Sequence, residues 1–86
     1  MEALIDVGEG LLVPERMIVA PSVGVFRPVD LDEGAHVTPG QTVGMVDGPG
    51  TSTPVASPFA GRLVGMLAHP GERLREGQPI AWLRVH

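Results

Sequence analysis

From Ala20 onward the sequence matches itself without a gap at an offset of 37 residues, the distance from Gly24 to Gly61. Pro21 falls on Pro58, Gly34 on Gly71, Gly40 on Gly77 and Gln41 on Gln78. The apolar positions follow the same shift, with Phe26 on Leu63, Val37 on Leu74, Val43 on Ile80, Met45 on Trp82 and Val46 on Leu83. Two copies of one strand–turn–strand unit are written into the chain. A unit this short, with one apolar face per strand, cannot close a core alone. The repeat therefore predicts two halves packed face to face about a pseudo-twofold axis.

The units are built from strands. Twelve Gly and nine Pro punctuate short Val-rich runs, and no stretch keeps a 3.6-residue apolar period across three turns. The expected strands are Ile18–Ala20, Gly24–Val29, His36–Val37, Thr42–Asp47, Val55–Ser57, Gly61–Leu67, Arg73–Leu74 and Ile80–Val85. Gly40-Gln41 and Gly77-Gln78 read as equivalent turns whose glycines supply positive φ.

Composition narrows the function classes. Eighty-six residues, 43% of them apolar, make one small domain. Two Phe, one Trp and no Tyr leave the core to Val, Leu, Ile, Met and Ala and remove the stacking platforms of single-strand nucleic-acid binders. A net charge of −4 argues against phosphate backbones and anionic lipid as partners. With no cysteine there is no disulfide framework, thiolate nucleophile or zinc ribbon. The start, "MEALIDVGEGLLVPE", lacks the basic end and long apolar run of a signal peptide or membrane span, so the cytoplasm is the default location. All six basic residues are arginine, so no side chain can form an amide with a biotin or lipoate carboxyl group.

Three stretches give the chain a relationship. "APSVGVF" is close to the A-P-x-x-G stretch near the start of biotin carboxyl carriers, and "EGAHVTPGQTVGMVD" to their E-G-x-x-V-x-x-G-x-x-L-x-x-x-E. "SPFAGRLVGMLAHPGERLREGQPIAWL" continues the pattern, so the sequence from Met17 to Val85 resembles the biotinyl/lipoyl carrier domain family. The resemblance implies an all-β fold, a flattened β-barrel or sandwich of two four-stranded sheets with pseudo-twofold symmetry. Residues 17–86 would form that domain and 1–16 an N-terminal extension, a candidate extra edge strand. The short step from Gly24 to Gly34 is similar to carriers without the additional thumb loop of some acetyl-CoA carboxylase carriers.

The departure from the family comes at the expected hairpin tip. Where biotin carriers have E-A-M-K-M, this chain has Asp47, Gly48, Pro49, Gly50 and Thr51. The resemblance puts the attachment lysine at Gly50, and only the leading acid is kept, as Asp47. Pro49, locked near a φ of about −65°, cannot enter a primed two-residue turn. Pro49-Gly50 instead suits the centre of a type II turn from Gly48 to Thr51, which predicts a longer, more open loop through Ser52 and Thr53. The surface read by a modifying ligase would be lost together with its target.

Other constellations are weaker. Thr51, Ser52 and Thr53 lack the D-S-L context of a phosphopantetheine serine. His36, His69 and His86 are far apart in sequence, with no H-x-H or H-E-x-x-H spacing, and read as solvated residues rather than metal ligands. Asp30, Asp32 and Glu33 form an acidic cluster, a candidate docking surface for a partner, whereas Glu72 and Glu76 among Arg73 and Arg75 read as a solvated loop. In the extension, Leu4, Ile5, Leu11, Leu12 and Val13 are too apolar to leave in water and are candidate contacts for the barrel or another chain.

No nucleophile, base and orienting group form a credible set, so neither catalytic residues nor a cofactor is expected. The expected role is a non-biotinylated carrier-like domain acting in protein interaction or scaffolding. Its expected partner is a protein related to a biotin-dependent acyl-CoA carboxylase or to acyl-thioester metabolism. The alternative reading is a barrel recruited as a small-molecule-binding protein or small enzyme, with the 48–53 loop lining its site. A homo-oligomer assembled through the N-terminal segment is a further expectation.

Overall fold

The computed structural model describes residues 15–85. Eight strands follow in order: β1 Glu15–Val19, β2 Gly24–Pro28, β3 His36–Val37, β4 Thr42–Gly48, β5 Thr51–Ala56, β6 Gly61–Met66, β7 Arg73–Leu74 and β8 Pro79–Arg84. They form two four-stranded antiparallel sheets, ordered β5-β4-β2-β7 and β1-β8-β6-β3. The all-β expectation and the two sheets are what the chain shows, as a flattened sandwich in which no ladder joins the sheets among the described residues. No helix of the described residues is long and apolar enough to cross a membrane.

The two sheets have the same plan. Advancing β2, β3 and β4 by one repeat gives β6, β7 and β8, and β1 advanced in the same way lands on β5. Each half lends its short strand to the other sheet, β3 pairing with β6 and β7 with β2. The closing hydrogen bonds also come in matched pairs. Gly34 N–H donates to the Leu63 carbonyl at 2.7 Å and Gly71 N–H to that of Phe26 at 2.9 Å; Gly40 donates to Ser57 at 2.7 Å and Gly77 to Ala20 at 2.8 Å. In the paired turns Gly40 and Gly77 have φ of 87° and 84°, and the Gln41 and Gln78 side-chain carbonyls each accept a backbone N–H at 3.0 Å, from Thr38 and Arg75.

Between the sheets lies a core of matched pairs. Ile18 and Val55, Phe26 and Leu63, Val37 and Leu74, Val43 and Ile80, and Val46 and Leu83 are all buried. Each such side chain contributes about 1.5–3 kcal/mol by leaving water. Where one half buries Ala20 the other buries Ser57, whose hydroxyl donates to the Phe59 carbonyl at 2.8 Å and accepts from the Phe59 N–H at 3.1 Å. That local pairing removes the cost of a buried unsatisfied hydroxyl.

β8 begins one residue earlier than expected, at Pro79, and two other strands begin well before their apolar patterns suggest. β1 starts at Glu15 rather than Ile18, and β5 at Thr51 rather than Val55. Both are edge strands with one neighbour, so their ends are held by ladder pairing rather than by a buried face, helped in β5 by the β-favouring Thr51 and Thr53. Pro54 fits β5 because an edge strand has a side where no ladder donor is needed.

Candidate functional site

The β4–β5 hairpin builds the tip. Its register pairs Met45 with Pro54, Val46 with Thr53, Asp47 with Ser52 and Gly48 with Thr51, leaving Pro49 and Gly50 as the two turn residues. The expected open loop through Ser52 and Thr53 is therefore corrected: both residues lie in the ladder. Gly50 has φ of 69°, the left-handed value a type II turn requires at its third residue, with proline before it. A type II turn closes two strands at the same loop length as a primed turn but matches strand twist less well. The ladder pairing of Gly48 with Thr51 shows that the strands meet nonetheless.

At the base of the turn three side chains interlock on the outer face of the first sheet. Asp47 sits opposite Ser52 on β5 and Val25 on β2, which brings Arg27 within diagonal reach. Arg27 Nε donates to Asp47 Oδ2 at 2.7 Å, and its Nη2 donates to Asp47 Oδ1 at 3.2 Å and to Ser52 Oγ at 2.9 Å. Ser52 Oγ in turn donates to Asp47 Oδ1 at 2.6 Å. The Arg27 hydrogen bond, then that from Ser52, holds the Asp47 carboxyl below the usual carboxylate range. The Arg27 and Asp47 side chains are 54% and 37% exposed, so water screens the pair and its chief effect is geometric.

This arrangement is a staple rather than a catalytic set. A general base should titrate near the working pH, and Asp47 is shifted away from it. Ser52 has that weak base as its acceptor and a guanidinium as its donor, which leaves its oxygen unactivated. Arg27 is not among the expected site residues, and Ser52 is expected only as part of the 48–53 loop. Counting register back from Asp47 on β4 to β2 is the signal that finds them, once strand pairing is known.

The other candidates lie apart from the tip. Asp30, Asp32 and Glu33 occupy the exposed loop between β2 and β3, where the Asp32 carbonyl accepts the Ala35 N–H at 3.1 Å. The Glu33 carboxylate reaches the outer side of β6 near Gly65. His36 is in β3, with Nε2 3.3 Å from Arg62 Nη2. His69 opens the turn before β7, where its backbone N–H donates to Glu72 Oε1 at 2.9 Å. That bond is the first cause of the lowered Glu72 carboxyl, so Glu72 is tied into its turn rather than simply solvated. Leu4, Ile5, Leu11, Leu12, Val13 and His86 lie outside the described residues.

The fold is a flattened β-sandwich whose β4–β5 hairpin ends in a two-residue turn. No family model matches the sequence, and no curated protein does. Solved structures do match. A single-chain, multi-domain long-chain acyl-CoA carboxylase aligns with a TM-score of 0.76 and 25% identity over 85% of this chain and 7% of its own. The urea carboxylase of Kluyveromyces lactis aligns with a TM-score of 0.73 and 23% identity over 80% of this chain and 6% of its own. The chain thus spans less than a tenth of either carboxylase and has the fold of one domain within each.

Proposed function

We propose that the chain is a carrier-like domain that bears no prosthetic group and works by protein interaction, linked to a biotin-dependent acyl-CoA carboxylase or a related acyl-thioester system. The fold similarity to domains inside two carboxylases supports the link. The observation that carries the reading is the tip: Pro49 and Gly50 fill the two turn positions, the sequence contains no lysine, and a hydrogen-bonded staple closes the hairpin base. In a carrier the tip delivers a group on a long, mobile arm. Here the same position presents a proline and a residue with no side chain. The alternative of a site lined by the 48–53 loop has no loop to use, since residues 51–53 are paired strand.

Two measurements test the reading. Incubated with biotin ligase or lipoate ligase, the protein keeps its intact mass, while a variant combining Gly48→Ala, Pro49→Met, Gly50→Lys and Thr51→Met at the tip gains the adduct. An adduct on the natural sequence removes the proposal. In the native host, affinity purification followed by mass spectrometry returns an acyl-CoA carboxylase or related acyl-thioester enzyme in stoichiometric amount; recovery of the protein with no such enzyme counts against the link.

A further inference from the structure

The pseudo-symmetry supplies an internal control for the two outer faces. At equivalent places the first sheet and its margin carry Arg27, Asp30, Met45, Pro54 and Ala56, where the second carries Val64, Leu67, Trp82, Met17 and Val19. The first face is mixed, with exposed Val25 beside Asp47, and the second carries the larger apolar side chains at these places. Met17, Val19 and Leu67 are 46%, 44% and 43% exposed, three of the five large apolar side chains so exposed among the described residues. Half-buried Trp82 lies among them, opposite Met17 on one side and Gly65 on the other, its ring so close over Gly65 that a Cβ there would be 3.1 Å from Nε1. Leu67 is held against β8 by its N–H bond to the Ile80 carbonyl at 2.7 Å.

At one end this face carries two arginines. Arg62 and Arg84 sit directly opposite each other across β6 and β8, lining with Leu63 and Val64 a shallow pocket of about 260 Å³. Like charges placed directly opposite on a sheet destabilise it unless an anion intervenes. Glu15 answers Arg84 at 3.0 Å, and Arg62 reaches the Gly34 carbonyl at 3.3 Å. Glu33 is on the Gly65 side of Trp82, away from the arginine pair in the register.

The sequence that leads into β1 has the complementary chemistry. Residues 1–14 contain Leu4, Ile5, Val7, Leu11, Leu12 and Val13, the acids Glu2, Asp6 and Glu9, and no base. They join the fold at Glu15, on the edge strand of this same face. Fourteen residues reach up to about 45 Å, several times the length of a five-residue strand. We propose that the outer face of the second sheet, around Trp82, is the docking surface for the chain's own residues 1–14, its apolar side chains covering Met17, Val19 and Trp82 and its acids set toward Arg62 and Arg84. This assignment does not depend on the carrier-like reading.

Trp82 is the one tryptophan of a sequence without tyrosine, so indole emission reports directly on this face. In full-length Leu11→Asp/Leu12→Asp, emission shifts to the red and acrylamide quenching rises roughly two-fold as the ring returns to water. Arg62→Gln/Arg84→Gln shifts emission in the same direction, and the shift produced by salt in the natural protein disappears in this variant. Where the first variant does not fold, nuclear Overhauser contacts between the Trp82 indole and the methyl groups of Leu11, Leu12 or Val13 in the natural protein decide the matter. Unchanged emission and quenching in a folded Leu11→Asp/Leu12→Asp protein, or absence of those contacts, overturns the proposal. So does an emission that depends on protein concentration, which assigns the face to a second copy.

Discussion

At Gly44 the β4 backbone passes beneath the ring of Phe26 so closely that a Cβ would sit 2.5 Å from Phe26 Cε1. One repeat away the same two places hold Ala81 and Leu63, a smaller ring-free side chain against a larger backbone position. The halves thus solve one packing problem in two ways, and the solutions can be exchanged. Gly44→Ala alone costs about 1–3 kcal/mol through overpacking. Phe26→Leu alone costs about 1–2 kcal/mol through lost contact. The double variant recovers most of the loss, a coupling of about 1 kcal/mol or more read from urea unfolding; simple addition of the two losses would rule out this pairing. Acid titration reports a different pair of residues. The Asp47 and Glu72 carboxyls are lowered by their folded hydrogen bonds, so the stability they add is present above the ordinary carboxylate range and is lost as pH falls through their folded values. Asp47→Asn is therefore less stable than the natural protein at neutral pH, and the gap narrows on acidification. Thermal melts from neutral pH down through the acid range check this.

The β4–β5 hairpin shows how far one element can be remodelled. Nothing lies within 4 Å of a Cβ built on Gly50, so substitution there meets no steric block and only the positive φ resists it. Gly50→Ala costs about 1–2 kcal/mol, the price of a left-handed L-residue. The cost falls on the hairpin first, so amide exchange should quicken at Thr51 to Thr53 before it does in β8, and uniform quickening would mean that the turn is not a separate unit of stability. The staple below the turn works against this loosening, since Arg27, Asp47 and Ser52 join β2, β4 and β5 at one level.

For the whole molecule, the exchange of short strands matters more than either sheet alone. β7 follows β6 in the second half of the chain yet pairs with β2, and β3 follows β2 yet pairs with β6, so neither half completes its sheet without the other. A domain this small has about 5–15 kcal/mol of stability in total. Leu74, fully buried in β7, is expected to cost about 2–5 kcal/mol when cut to Ala. Because Leu74 belongs by sequence to one half and by pairing to the other, the loss should be felt in both sheets. Trp82 fluorescence and the amide signals of β4 and β5 should lose structure at the same urea concentration. Separate midpoints would show that the halves fold independently.

Much of this architecture is legible without coordinates because the repeat marks equivalent strands and turns twice, and because alternation fixes which side chains face the core wherever one face is buried. The positive-φ turns at Gly40 and Gly77, the matched core from Phe26 and Leu63 to Val46 and Leu83, and the missing lysine all follow from the letters alone. Tertiary structure decided what that pattern does not encode. Thr51, Ser52 and Thr53 have no apolar alternation, so only pairing with β4 makes them strand and the tip a two-residue turn. Arg27 meets Asp47, and Trp82 faces outward over Gly65, because neighbouring strands set the register between residues far apart in the chain. Cross-strand neighbours are a property of the sheet, and no local period in the chain specifies them.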